Sequence, residues 1–168
     1  MSGSAAPSAR PPLALVFGAS GYVGSNLVPA LQAAAVRVRA AARNRKVLAA
    51  RAWRDVELVE ADALAPATLA PALEGVDVAY YLVHSMASGR DFGRLDLEAA
   101  SNFARAAAAA GVRRIVYLGG LVPPGADSEH LTSRKETGDR LRAGPVPVTE
   151  IRAGIIVGPG SAAYEVMR

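Results

Sequence analysis

Along the chain, apolar runs of strand length alternate with stretches whose apolar residues return at helical spacing. The runs predict strands over 13–17, 36–42, 56–60, 76–83, 114–118 and 148–157. The helical spacings predict helices over 22–34, 45–52, 66–73, 91–110 and 129–142. Val23, Leu27 and Leu31, at i, i+4 and i+8, put an apolar stripe on the first helix. The run from Val76 to Val83 is almost continuously apolar, as burial on both faces of a sheet requires. Such alternation implies a parallel sheet covered by helices on both faces, a three-layer αβα arrangement of the doubly wound, Rossmann-like α/β class. Pro29 removes a backbone donor inside the first helix and is expected to kink it locally. There is no internal repeat.

Composition narrows the class. A chain of 168 residues suits one domain with a real core, expected over 13–168 behind a flexible tail at 1–12. The tail, rich in Ser, Ala and Pro, has no hydrophobic segment of signal-peptide kind. The chain stops at Arg168, a few residues into what reads as a new helix after Gly158-Pro159-Gly160. The domain is therefore expected to be incomplete at its C-terminal side, lacking the rest of a substrate region. Although 51% of residues are apolar, no segment approaches the ~20 uninterrupted apolar residues of a membrane span. With no cysteine there is neither a disulfide framework nor thiolate chemistry, and a cytoplasmic location is expected. The net charge of +4 is carried by scattered arginines, Lys46 and Lys135 being the only lysines. No dense basic tract with interleaved aromatics appears, so solvated surface explains the charge better than nucleic-acid binding.

The chemistry begins directly behind the first strand. Gly18-Ala19-Ser20-Gly21-Tyr22-Val23-Gly24 lies between the apolar run Leu13–Phe17 and the first helix. A strand, a glycine turn and a helix is the layout that holds a nucleotide diphosphate: Gly18 for the turn, Gly21 for close approach of phosphate, Gly24 for helix against strand. Free N–H groups and the positive end of the helix dipole then face the anion. A glycine-rich turn without a ligand is the plainer alternative.

In an open parallel sheet, ligands bind beyond the carboxyl ends of the strands. After the second strand comes Arg43, where an NAD site would place a carboxylate on the ribose 2′-hydroxyl. A guanidinium there suits a 2′-phosphate, so NADP(H) is favoured over NAD(H); Arg43 and Arg45 as surface charges opening a helix is the alternative. After the third strand, the Asp62 carboxylate could accept the adenine amino group while the next N–H, of Ala63, meets a ring nitrogen. Asp62 could equally cap the helix that begins at Pro66. After the fourth strand, Leu82 and Val83 would lie along the ribose and diphosphate. His84 follows on the cofactor side; its imidazole titrates near neutral pH, and a structural, hydrogen-bonded role competes with proton transfer. Gly119 and Gly120 after the fifth strand allow either a close approach or a turn. Neither His84 nor His130 has a partner at metal-ligand spacing, so no metal site is expected.

Taken with Arg43, Asp62, Asn102, the stretch Ala110 to Tyr117, and Arg152 through Gly158-Pro159-Gly160, the glycine loop makes the chain resemble the short-chain dehydrogenase/reductase superfamily, nearest its atypical, NmrA-like NAD(P)H-binding branch. The resemblance covers nearly everything beyond the tail. It implies cofactor contacts from Gly18, Ser20, Gly21, Tyr22, Val23, Gly24, Arg43, Asp62, Ala63, Leu82 and Val83. It also implies that helices beside the fourth and fifth strands could form a homodimer. Active members use a serine after the fifth strand and a Tyr-x-x-x-Lys pair on the next helix. Here the serine position reads Gly119 or Gly120, and the pair reads His130 and Arg134 with the spacing kept. His130 could still transfer a proton and Arg134 could still bond a ribose, although arginine does not reproduce the compact charge of lysine. A helix start with exposed polar residues explains the two equally well. Two expectations follow: an NADP(H)-binding oxidoreductase-like protein acting on an unidentified small molecule, or a non-catalytic NAD(P)H-binding redox sensor or structural subunit.

Overall fold

The computed structural model describes residues 11–84, 92–123 and 128–167. Six strands, β1 (Leu13–Phe17), β2 (Arg37–Ala42), β3 (Val56–Glu60), β4 (Val78–Tyr81), β5 (Arg114–Gly120) and β6 (Val148–Ala153), form one sheet in the order β3-β2-β1-β4-β5-β6. Every pairing is parallel. Between and after them run α1 (Tyr22–Ala33), α2 (Arg45–Ala49), α3 (Leu69–Leu73, entered through a 3-10 turn at Pro66–Thr68), α4 (Phe92–Ala109), α5 (Glu129–Arg142) and α6 (Ala162–Met167). This is the expected Rossmann-like order.

The sheet sorts the core into two halves. Alternating β1 residues Leu13, Leu15 and Phe17 face α3, α4 and α5, meeting Leu69, Phe103 and Leu141. Val16 faces the other way, toward Val28 of α1 and Leu48 of α2. All five β1 residues are buried, as a central parallel strand requires. Phe17, Tyr81, Phe103 and Tyr117 form an aromatic cluster with ring centroids 4.8–6.1 Å apart, spacings at which offset and edge contacts are favourable.

Several boundaries differ from the sequence reading. β4 is confined to 78–81, because only those residues pair with β1 and β5. β6 ends at Ala153, and the apolar run Ile155-Ile156-Val157 continues as exposed, unpaired backbone. Helix α2 stops at Ala49, and the chain turns through Ala52 and Asp55 at positive φ. α1 continues through Pro29 to Ala33. Asp91, at the start of the expected fourth helix, and nearly all of the expected tail lie outside the described residues.

β1 has β2 on one side and β4 on the other. The chain therefore leaves β1 in opposite directions, and the reversal opens a crevice at the carboxyl ends of the strands.

Candidate functional site: a cleft at the strand ends

That crevice is a cleft of about 300 Å³. It is lined from β1 by Gly18, Ser20 and Gly21, from β2 by Arg43, from β3 by Asp62 and Ala63, and from β4 by Leu82, Val83 and His84. Nine residues picked out from the sequence thus share one wall. Tyr22, Val23 and Gly24 are absent from that lining; they form the first turn of α1 directly behind it.

The glycine loop is held by its backbone. Gly18 N–H and Ala19 N–H both donate to Ala41 O, at 3.0 and 3.1 Å, locking the turn onto the end of β2. Gly21 N–H donates to Gly18 O at 3.1 Å. Gly18 has φ +97°, a conformation that favours glycine, and a Cβ there would approach Val83 Cγ1 to 2.9 Å. At Gly24 a Cβ would lie 2.5 Å from Gly18 O and 2.7 Å from Ala19 Cα, so helix and loop are in contact. A Cβ on Gly21 would meet only Gly18 O, at 3.4 Å, and otherwise project into space. The α1 ladder opens with Ser25 N–H donating to Gly21 O at 2.9 Å, and Gly21 caps the helix without a side chain. The N–H groups of Tyr22, Val23 and Gly24 precede it and have no intrahelical acceptor. Open space in front of these donors, at the positive end of a 12-residue helix, fits a diphosphate.

Arg43 is exposed at the cleft rim and makes no ion pair or side-chain hydrogen bond among the described residues. Its neighbours are engaged otherwise. Asn44 caps α2 by accepting Lys46 N–H at 2.9 Å, and Arg45 Nε donates to Leu58 O at 3.2 Å. The Glu60 carboxylate faces Arg45 N–H at 3.4 Å. Asp62 does not cap the 3-10 turn at Pro66, where Ala65 holds the cap position. It makes an Asx turn instead, Oδ1 accepting Leu64 N–H at 2.9 Å. Its backbone is bound through Thr68 Oγ1, which accepts Asp62 N–H at 2.9 Å.

Beyond His84, outside the cleft lining, the picture departs from the superfamily pattern. His130, half-buried in the first turn of α5, and His84 have ring centroids 5.9 Å apart. Desolvation by the surrounding wall lowers the His84 pKa, and the charges of Arg134 and His130 lower it further against Asp96. Arg134 Nη2 donates to Leu118 O at 2.6 Å. A Cβ at Gly120 would lie 3.2 Å from Arg134 Nε, so this guanidinium lies where a serine side chain after β5 would have to grow. A Cβ at Gly119 would run into the Glu150 carboxylate, itself held by Arg142 and Arg152. A side chain at Gly119 would have to displace the Glu150 carboxylate, and one at Gly120 would press on Arg134.

Several contacts around the cleft were not assigned from the sequence. Asp96 of α4 is buried, lines the cleft, and accepts Ser133 Oγ at 3.0 Å from α5. It was findable as the one carboxylate on the stripe that continues through Ala99, Ala100 and Phe103. Asn102, also buried, donates from Nδ2 to Ala63 O at 2.8 Å and so fixes the segment after β3. Arg51 donates to Ser20 O at 2.9 Å. The Tyr22 hydroxyl abuts Gly158, where no side chain would fit. Among the described residues no three His, Cys, Asp or Glu side chains are grouped as a metal ion would need. No described helix is long and apolar enough to cross a membrane.

A parallel six-stranded sheet with an amide-lined glycine turn at its reversal point is a dinucleotide-binding domain of the Rossmann type. Residues 18–143 match the model of the NAD(P)H-binding family. The chain belongs to that family, within the atypical short-chain dehydrogenase/reductase group. It is similar to sterol demethylase protein B of Methylococcus capsulatus, with 36% identity over 128 residues, covering 70% of this chain and 39% of that protein. The same fold occurs in Citrobacter sp. triphenylmethane reductase complexed with NADP(H), with TM-score 0.75 and 24% identity over 87% of this chain and 50% of that one. It occurs in the NADPH-dependent quinone oxidoreductase of Escherichia coli, with TM-score 0.70 and 26% identity over 83% of this chain and 48% of the other. It occurs again in Bordetella bronchiseptica WbmH in complex with NAD+, with TM-score 0.77 and 18% identity over 91% and 60%. The chain thus spans 39–60% of the length of these proteins.

Proposed function

We propose that this chain is the cofactor-binding part of an NADP(H)-dependent oxidoreductase acting on an organic small molecule. The carrying observation is Arg43: exposed, at the cleft rim beyond β2, and without a partner among the described residues. A free guanidinium at the ribose position suits a 2′-phosphate through charge and paired donors. The neighbours hold NADP(H) in one case and NAD+ in another, so the preference rests on Arg43 and not on likeness. In this reading the first-turn amides of α1 take the diphosphate, with Gly18, Ser20 and Gly21 as its floor. The free Oδ2 of Asp62 and the Ala63 N–H face the adenine, and Leu82, Val83 and His84 border the ribose toward the reaction end. A bound reduced nicotinamide supplies a hydride. His130, a ring's width from His84, supplies the balancing proton to the substrate.

Calorimetric titration tests the cofactor choice. Arg43→Ala should weaken NADPH roughly tenfold or more, because a charge-assisted contact is lost, and leave NADH nearly unchanged. Equal losses for both nucleotides would remove Arg43 from the 2′-phosphate.

The second reading is a non-catalytic NAD(P)H sensor or structural subunit. One observation favours it: Arg134, at the position of the superfamily's lysine, already commits one N–H to Leu118 O. A turnover screen with His130→Ala as control separates the two. Tight NADPH binding, no substrate oxidising it and no effect of His130→Ala would give the site to the binding module.

A further inference from the structure

Beyond His84, at the edge of the cleft, hydrogen-bond donors gather from separate elements. His84 follows β4, His130 opens α5, and Arg134 lies one turn further along α5 over Gly120 at the end of β5. The first turn of α5 adds the positive end of a 14-residue helix whose cap, Ser128, makes no side-chain hydrogen bond. Among the described residues, Asp96 of α4 faces this group and already accepts Ser133 Oγ at 3.0 Å, while Glu129 stands in the first turn of α5. Arg134 uses one N–H on Leu118 O; the rest of its five-donor fork remains for a ligand. Beside it the chain leaves β5 through Leu121 and Val122, 56% and 38% exposed. Leu121 lies against Gly154, where a Cβ would be 3.8 Å from its Cδ1, and Ile155 follows at 82% exposure.

We infer that His84, His130 and Arg134 form a receptor for the anionic oxygen group of an apolar organic acid, with Leu121, Val122 and Ile155 as the wall for its apolar body. This deepens the reading above by naming the substrate class, and it rests on the cofactor lying in the same cleft. Arg134 supplies a permanent charge and a planar fork matched to a carboxylate. The imidazoles supply N–H donors, and a carboxylate beside His84 favours its protonated form against the desolvation that lowers its pKa. By linkage the anion then binds more tightly as pH falls through the lowered His84 range.

Benzoate is the probe, titrated into the full chain saturated with NADP+ and followed by saturation-transfer NMR. Benzamide has the body without the charge, and acetate the charge without the body. Benzoate should bind in a saturable way, roughly tenfold or more above either control. Arg134→Ala should remove that advantage and Arg134→Lys restore part of it. Affinity should rise as pH falls below about 6.5, and His84→Gln should flatten the rise, a readout that also serves if Arg134→Ala does not fold. Benzamide binding as well as benzoate, no saturable benzoate binding, or Arg134→Ala binding benzoate unchanged would each overturn the inference. So would benzoate competing with NADP+, because the cluster would then serve the cofactor's own phosphates. If NADP+ fails to bind while benzoate binds through Arg134, the cofactor reading falls and the anion receptor stands.

Discussion

At Gly24 the first helix touches the glycine loop it follows. A methyl group there would sit 2.5 Å from Gly18 O and 2.7 Å from Ala19 Cα, both backbone atoms that cannot swing aside. Gly24→Ala is therefore expected to cost about 2 kcal/mol of stability by overpacking. It should also push the first-turn amides out of line, so that NADPH affinity falls with it. Urea denaturation beside calorimetry checks both; a stable variant with intact NADPH binding would mean the loop relaxes freely. Gly120 shows the same logic with a flexible neighbour. The contact there would be with the Nε and Cδ atoms of Arg134, at 3.2 and 3.3 Å, which a side chain can relieve by a small shift.

Elements were legible where apolar pattern and pairing coincide, as in β1, whose five residues are all buried. They were not legible where an apolar run lacks a partner. Ile155-Ile156-Val157 reads as strand, yet β5 ends its pairing with β6 at Gly120 and Ala153, and the run stays exposed. Spacing alone put His130 and Arg134 on one helix, one turn apart. It carried no information on where Arg134 would turn, since the Leu118 carbonyl that holds it comes from β5. Of the cleft wall, the glycine loop and the residues after β2, β3 and β4 were readable because strand ends in such a sheet face one crevice. Contributions from helix interiors were hidden, because a polar residue on an apolar stripe has no local partner to announce it. Asn102 is the clearest case: it reaches from α4 to Ala63 O across 39 positions of sequence. Asn102→Ala should leave that buried carbonyl without a donor, costing about 1–3 kcal/mol. It should also weaken NADPH, through looser positioning of Asp62 and Ala63. Asn102→Asp should do no better, since it presents an acceptor to an acceptor. A chemical-denaturation series with nucleotide titrations measures both, and unchanged affinity would detach α4 from the adenine side.

For the molecule as a whole, the aromatic cluster between sheet and α4–α5 sets an alkaline limit. Burial lifts the Tyr117 pKa from 10.0 to about 12, in spite of the opposing charge of Arg134. Tyr81, more deeply buried, is raised further, with Asp96 adding to the effect. In the unfolded chain both phenols ionise near the ordinary value, so above it the unfolded state binds fewer protons than the folded one. The contribution is fully present below pH 10.0 and is lost as pH rises toward about 12. For Tyr117 this amounts to about 2–3 kcal/mol. The acid side should be gentler. Glu57 is held low first by its hydrogen bond from Arg39, but Glu57 itself is substantially exposed, and its contribution, present above 4.5 and lost as pH falls through the folded value, is screened by solvent. Thermal melting against pH should thus show a steeper alkaline limb than acid limb. In Tyr117→Phe the alkaline fall should shrink without vanishing, because Tyr81 remains, while stability at neutral pH drops by about 1 kcal/mol with the lost bond from Tyr117 Oη to Arg134 O. An alkaline limb unaltered by Tyr117→Phe would locate the limit elsewhere. That same bond ties α5 to the sheet beside Arg134, so ionising Tyr117 should loosen the helix that carries His130. Benzoate binding should then fail at a lower pH than global unfolding, a separation the two measurements together can resolve.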